Sequence, residues 1–118
     1  MIKFRYVYSN GKEIKTFIYT IEEIENEKMS EDWYEMEVRG FKLISRDRFT
    51  GLIVKDKELF ENDIFHLGDI RIKYVVEWLD TGLKGRQMSN KSTVGLEYHK
   101  KWIEIISSTH IEELKDNK

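Results

Sequence analysis

Proton-transfer and nucleophilic chemistry draws on a short list of side chains, and this chain holds few of them. Its three histidines, His66, His99 and His110, lie far apart in sequence, there is no cysteine, and no serine stands in a Gly-x-Ser-x-Gly context. A nucleophile with its base and orienting acid therefore has no starting point. His66 follows an apolar run and reads as a rim residue rather than a general base. Carboxylates are abundant, 22 Asp and Glu in 118 residues, so two neighbours in sequence single out no acid–base pair. Gly82-Leu83-Lys84-Gly85 is too short for a phosphate-binding loop and lacks the strand-to-helix setting. Spacings that would hold zinc or calcium are missing, and thiolate sites are excluded outright. The residues predict a non-catalytic protein with no cofactor and no metal.

Recognition chemistry is better supplied. Arg71 and Lys73 are expected on the outward face of a strand, and Lys84, Arg86 and Lys91 in the loop that follows it. Small β barrels often use such loops to meet a nucleic acid or a protein; a plain solvated loop is the alternative. Residues 22–37 hold eight acidic side chains and one basic one, Lys28, and within them lie Trp33 and Tyr34, flanked by Glu31, Asp32 and Glu35. An aromatic pair in acidic surroundings reads as an exposed anchor for a protein partner. Trp78 and Trp102 fall on inward faces of their expected strands and read as core. The net charge is only −2 with a pI near 6.0, which argues against a dedicated nucleic-acid coat.

These groups need a scaffold, and the pattern predicts a mainly β one. Residues 2–8 and 13–19 flank Ser9-Asn10-Gly11-Lys12, and Asn-Gly at the centre of a short loop predicts a hairpin closed by a type I′ turn. Ile2, Phe4, Tyr6 and Tyr8 share one face of the first strand. Thr20-Ile21-Glu22-Glu23 is a capping box that predicts a short helix to about Lys28, followed by an acidic loop through Asp32. Residues 33–38 and 41–45 have strand character, with Arg39-Gly40 as turn or bulge between them, and Arg46-Asp47-Arg48 then interrupts the apolar pattern. Residues 69–78 alternate, with Val75 the exception, and predict a central strand, with Ile70, Ile72, Tyr74, Val76 and Trp78 facing inward and Arg71, Lys73 and Glu77 outward. Residues 80–92 read as a loop, 93–98 and 101–106 as closing strands, Thr109-His110-Ile111-Glu112 as a helical turn and 116–118 as a loose tail. The length suits one domain, and no apolar run is long enough to cross a bilayer. With no secretory pattern at the start and no cysteine, the expected location is a reducing cytoplasm.

One stretch carries a resemblance. Thr50-Gly51-Leu52, a charged turn Lys55-Asp56-Lys57-Glu58 and the run Phe60-Glu61-Asn62-Asp63-Ile64-Phe65 follow one another in residues 50–65. Together they resemble the signature of the YopX-like family of bacteriophage and prophage proteins. In that family Thr-Gly-Leu precedes a Lys-Asp-rich turn and an aromatic–Glu–Gly–Asp–Ile–Val run. Lys3-Phe4-Arg5, Val76-Glu77-Trp78 and Trp102-Ile103-Glu104-Ile105-Ile106 are similar to other parts of the family pattern. Asn62 replaces the usual glycine but also tolerates the left-handed region, and Ser107-Ser108-Thr109-His110 departs from the family's Gly-Asn-Ile-Tyr ending. The resemblance implies an α+β N-terminal part (residues 1–47; hairpin, short helix, extra strands) and a C-terminal SH3-like small β barrel (residues 48–118). It implies no activity and no catalytic residues. The resulting expectation is a phage accessory protein in the bacterial host cytoplasm that binds a host or phage protein. A nucleic-acid binder using the basic residues 71–91 is the alternative, no membrane is involved, and a barrel edge left uncovered offers pairing with a second copy.

Overall fold

The computed structural model describes residues 1–116; the expected tail at 117–118 lies outside the described residues. Strands β1 (Lys3–Ser9) and β2 (Ile14–Thr20) form the hairpin, in a register pairing Lys3 with Thr20 and Ser9 with Ile14. Its loop differs in kind from the type I′ turn. Four residues connect the strands, only Gly11 has positive φ (87°), and the Asn10 side chain accepts from the backbone N–H of Lys12 and Glu13 at 2.8 and 2.7 Å. The asparagine works through its side chain, as an Asx turn, rather than through a left-handed backbone. Tyr6, Tyr8 and Tyr19 pack with Met36 and Phe41 on one face, and Val7 is buried on the other, so β1 is covered on both sides.

Helix α1 (Ile21–Glu25) starts on the expected capping box: Thr20 Oγ1 accepts from the Glu23 N–H, and the Glu23 carboxylate accepts from the Thr20 N–H. Residues 33–38 are not a strand, and 30–32 are not a loop. Both belong to a second helix, α2 (Ser30–Val38). The alternation of Tyr34, Met36 and Val38 is real but is not the buried period. The side that packs is Met29, Asp32 and Met36: Met29 and Met36 join the aromatic cluster, and Asp32 accepts a 2.5 Å hydrogen bond from Tyr19 Oη. A carboxylate on the packed face hid the helical repeat. Arg39-Gly40 ends this helix rather than turning between strands. Gly40 has φ 85°, the Phe41 N–H reaches back to Met36 O at 2.8 Å, and Phe41 packs in the same cluster as Met36. This is a Schellman stop with its hydrophobic contact.

Strand β3 (Lys42–Val54) runs without a break through residues 47 and 48. It pairs with β1 in its first half and with β4 (Lys57–Phe60) in its second. The Thr50-Gly51-Leu52 motif makes the bend between the halves. The register shifts between Phe49 and Ile53, Gly51 has φ 89°, and Thr50 Oγ1 donates to Leu59 O at 2.8 Å while accepting from Leu52 N–H at 3.1 Å. A side chain replaces the ladder bonds that the bulge removes. Lys55 and Asp56, both at positive φ, make the two-residue turn into β4. Asn62, at φ 72°, takes the left-handed position on the way to β5 (Asp63–His66).

Strands β6 (Tyr74–Leu79), β7 (Gly82–Gln87), β8 (Thr93–Val94) and β9 (Glu104–Ser108) complete the sheets, followed by α3 (Thr109–Asp116). The order β2-β1-β3-β4 makes one antiparallel sheet and β8-β7-β6-β5-β9 the other; neither closes on itself. Three strand assignments change here. The strand expected from residue 69 begins only at Tyr74, because Asp69 accepts from both the backbone and the guanidinium of Arg71 and turns the chain there. The expected loop contains β7, whose Gly85 is a packing device: a Cβ there would lie 2.6 Å from the Phe65 ring. The strand expected at 93–98 stops at Val94, and Lys100–Trp102 is a single 3-10 turn. Val54 and Leu59 of the first sheet pack with Phe65, Val76, Leu96 and Ile103 to make the larger core. No helix among the described residues is long and apolar enough to cross a membrane.

Candidate functional site

The α2 face is where the sequence places its protein anchor. Only Met36 of this helix is buried; Trp33, Tyr34 and Val38 are 49%, 72% and 69% exposed. Tyr34 and Val38 lie four residues apart and share a face, with Glu31 and Glu35 beside them. Trp33 lines a depression of about 470 Å³ with Glu37, Phe41 and Leu43. A bond from Tyr19 to Asp32 fixes the helix to β2, and burial, followed by that hydrogen bond, pushes the Tyr19 hydroxyl far above its ordinary pKa.

The basic set is brought together less well. Arg86 forms a bidentate pair with Glu77 across the β6–β7 ladder, both bonds 2.7 Å, and Arg71 is held by Asp69 at 3.1 Å. The Glu77 carboxyl is lowered first by that bond to Arg86. Lys84 stands across the ladder from Glu77, whereas Lys73 lies just before β6 and Lys91 in the connection after β7. Two of the five cations are thus already neutralised by neighbours. Trp78 and Trp102, expected in the core, are each 56% exposed. In β6 the burial is confined to Val75 and Val76, and Trp78, on the same face as Val76 but two residues nearer the β6–β7 turn, stays exposed. His66, expected on the rim, is buried in β5, where its Nδ1 accepts from the Gly68 N–H at 3.0 Å.

The largest feature that sequence reasoning missed is a buried ionic cluster where the two sheets meet α3. Asp47 of β3, wholly buried, accepts from Arg5 Nη2 at 2.7 Å, Ser45 Oγ at 2.6 Å and Asn62 Nδ2 at 2.8 Å. His110 Nε2 lies 3.0 and 3.2 Å from its two oxygens, so Nε2 carries the proton. Arg5 also donates to Asp63 Oδ1 at 2.7 Å and to Glu61 O at 3.2 Å, with its guanidinium over the Phe60 ring. The guanidinium therefore lies between two buried carboxylates and bridges β1, β3 and β5. Burial alone would raise Asp47, but the bonds from His110, Ser45, Arg5 and Asn62 outweigh it and hold the carboxyl at about 2. Asp63, whose donors among the described residues are Arg5 and the Phe60 N–H, is raised by burial. The His–Asp pair has the look of a catalytic dyad, yet its ring is spent on holding α3 to β3.

A pH dependence follows. Asp47 lies below its ordinary 3.8, so its stabilisation is full above that value and is lost as pH falls through about 2. Asp63 is raised, so its cost at neutral pH is relieved on protonation, which opposes the loss. Thermal melts against pH should show stability holding down to about pH 4 and falling steeply below it. A midpoint already collapsing near pH 6 would contradict this assignment. No protein-family model matches the chain, and no curated protein matches it.

Proposed function

We propose that this is a non-catalytic binding protein that recognises a basic surface of a host or phage protein through the α2 face. One observation carries the reading: a nine-residue helix in an acidic segment leaves Trp33, Tyr34 and Val38 exposed and buries only Met36. Exposed aromatic side chains on a rigid element are the usual anchors of interfaces, and the surrounding carboxylates steer a positive partner. We also propose the family reading, a YopX-like phage or prophage protein, for which the left-handed Asn62 and the bulge built by Thr50-Gly51-Leu52 give support. An opened SH3-like barrel for residues 48–118 belongs to the same reading. Its support is the shared core in which Val54 and Leu59 lie over the five-stranded sheet. The nucleic-acid alternative through residues 71–91 is weakened by the pairing of Arg71 and Arg86.

The test is capture from host lysate by the wild-type chain and by a Trp33→Ala/Tyr34→Ala variant, followed by affinity measurement on the purified partner. The double variant is expected to weaken binding by about 30-fold or more, the loss typical of two interface anchors. A partner retained equally by both forms, or none found with either, would overturn the proposal.

A further inference from the structure

The region around Tyr98 combines features that belong together chemically. Tyr98 is the most exposed aromatic of the chain at 84%, and it stands on a stiff turn. Leu96 anchors that turn in the larger core, His99 Nδ1 is bonded to Gly95 O at 2.9 Å, and the His99 ring packs edge-on to the tyrosine at 4.9 Å. The tyrosine lies between two adjoining depressions, lining both. The first, about 380 Å³, has Ile53, Lys55, Lys100 and Lys101 around it; the second, about 500 Å³, has Leu52, Leu83 and Lys84. Trp78 lies directly across the β6–β7 ladder from Leu83, with the Arg48 guanidinium 4.9 Å over its ring. Four lysines thus flank an apolar floor and an exposed ring. Glu97 is the carboxylate that lines both depressions, and Glu104 takes Lys55 at 3.4 Å.

We propose that the two depressions on either side of Tyr98 bind a short stretch of single-stranded nucleic acid, with a base stacked on the Tyr98 ring and flanking phosphates on Lys84 and on Lys100 and Lys101. The argument is charge complementarity joined to shape. Lysines on both sides of a ring match the phosphate–base–phosphate repeat, and an isolated ring is useful only to a base free of its own stack. A duplex offers phosphates but no open base face. An acidic protein segment would satisfy the lysines but not the planar ring on its stiff turn. This site lies apart from the basic set in residues 71–91, sharing only Lys84 with it, and uses none of the α2 face.

The experiment is fluorescence anisotropy with labelled oligothymidylate and oligouridylate at low salt, a duplex of the same length and a labelled poly-glutamate serving as rival ligands. Single strands are expected to bind most tightly, and Tyr98→Ala to weaken them about tenfold. Lys100→Glu/Lys101→Glu should reduce the slope of log affinity against log salt by about 1.4, two contacts' worth for a single strand. Trp33→Ala/Tyr34→Ala should leave this binding unchanged, so the site stands or falls separately from the protein-binding reading. No binding of single strands at low salt, equal binding of the duplex, or indifference to Tyr98→Ala would overturn the proposal. Tighter binding of poly-glutamate would overturn it in favour of an acidic protein partner. All five substituted side chains are exposed, so these variants keep the fold.

Discussion

Asp47→Asn is expected to destabilise the fold by about 3–5 kcal/mol, the loss found when one partner of a buried ion pair is removed. Equilibrium unfolding in denaturant would measure it. The substitution keeps the shape of the side chain, so packing is not the cause. Four groups donate to Asp47: Arg5, Ser45, Asn62 and His110. An amide has one accepting oxygen and an NH2 that itself donates, so at least one of those donors must face another donor. Arg5 would also keep only Asp63 as a charged partner inside the protein. By contrast, Ser45→Ala removes one neutral donor and should cost about 1 kcal/mol. A similar small loss for Asp47→Asn would mean that water reaches the cluster and that the sheets are joined mainly by apolar packing. The consequence for binding is indirect but measurable. The cluster joins β1, which carries the hairpin beneath α2, to β5 and α3, so loosening it should separate the two sheets before either unfolds alone.

How much of this was legible in the sequence depends on how far apart the interacting residues lie. Local chemistry could be read: the Thr20–Glu23 capping box, the tolerance of Asn62 for a left-handed turn, and the hairpin at Asn10-Gly11 all involve neighbours within three residues. The ionic cluster could not. Asp47 sits between Arg46 and Arg48 and reads as an interruption, whereas Arg5 and His110, two of its four donors, lie 42 and 63 residues away. The same holds for α2. Its buried face includes Asp32, polar because Tyr19 supplies the partner, and without that long-range bond the window shows a false twofold alternation. In residues 69–78 the alternation was genuine in the letters but irrelevant, since the Asp69–Arg71 turn precedes the strand and two successive valines are buried. The exposure of Trp33 and Tyr34 was legible because charged neighbours stand on both sides of them. The exposure of Tyr98 was not legible, because the strand expected at 93–98 hides the turn on which it stands.

Gly85→Val is expected to destabilise the protein by about 3 kcal/mol, and the loss should be partly relieved by Phe65→Leu. Gly85 lies in β7 and packs under the wholly buried Phe65, whose ring stacks on Tyr74 at 5.3 Å between centroids. An added Cβ would meet Phe65 Cζ at 2.6 Å and Val94 Cγ2 at 3.0 Å, and valine adds two methyls beyond that. The ring cannot retreat, because Val76 and Ile103 of the same core are themselves fully buried. Gly85 is not among the glycines with positive φ, so the cost cannot come from backbone strain and must come from overlap. That makes the compensation diagnostic. Phe65→Leu alone leaves a cavity and loses stability, but it removes the atoms that a side chain at 85 would strike. The double variant should therefore be more stable than the sum of the singles by about 1 kcal/mol or more, as read from a double-mutant cycle. Strict additivity would mean that the strand shifts instead of the ring. Because Leu83 and Lys84 lie on the same strand, such a shift would appear as changed oligothymidylate affinity, whereas a purely steric cost in the core would leave that affinity intact.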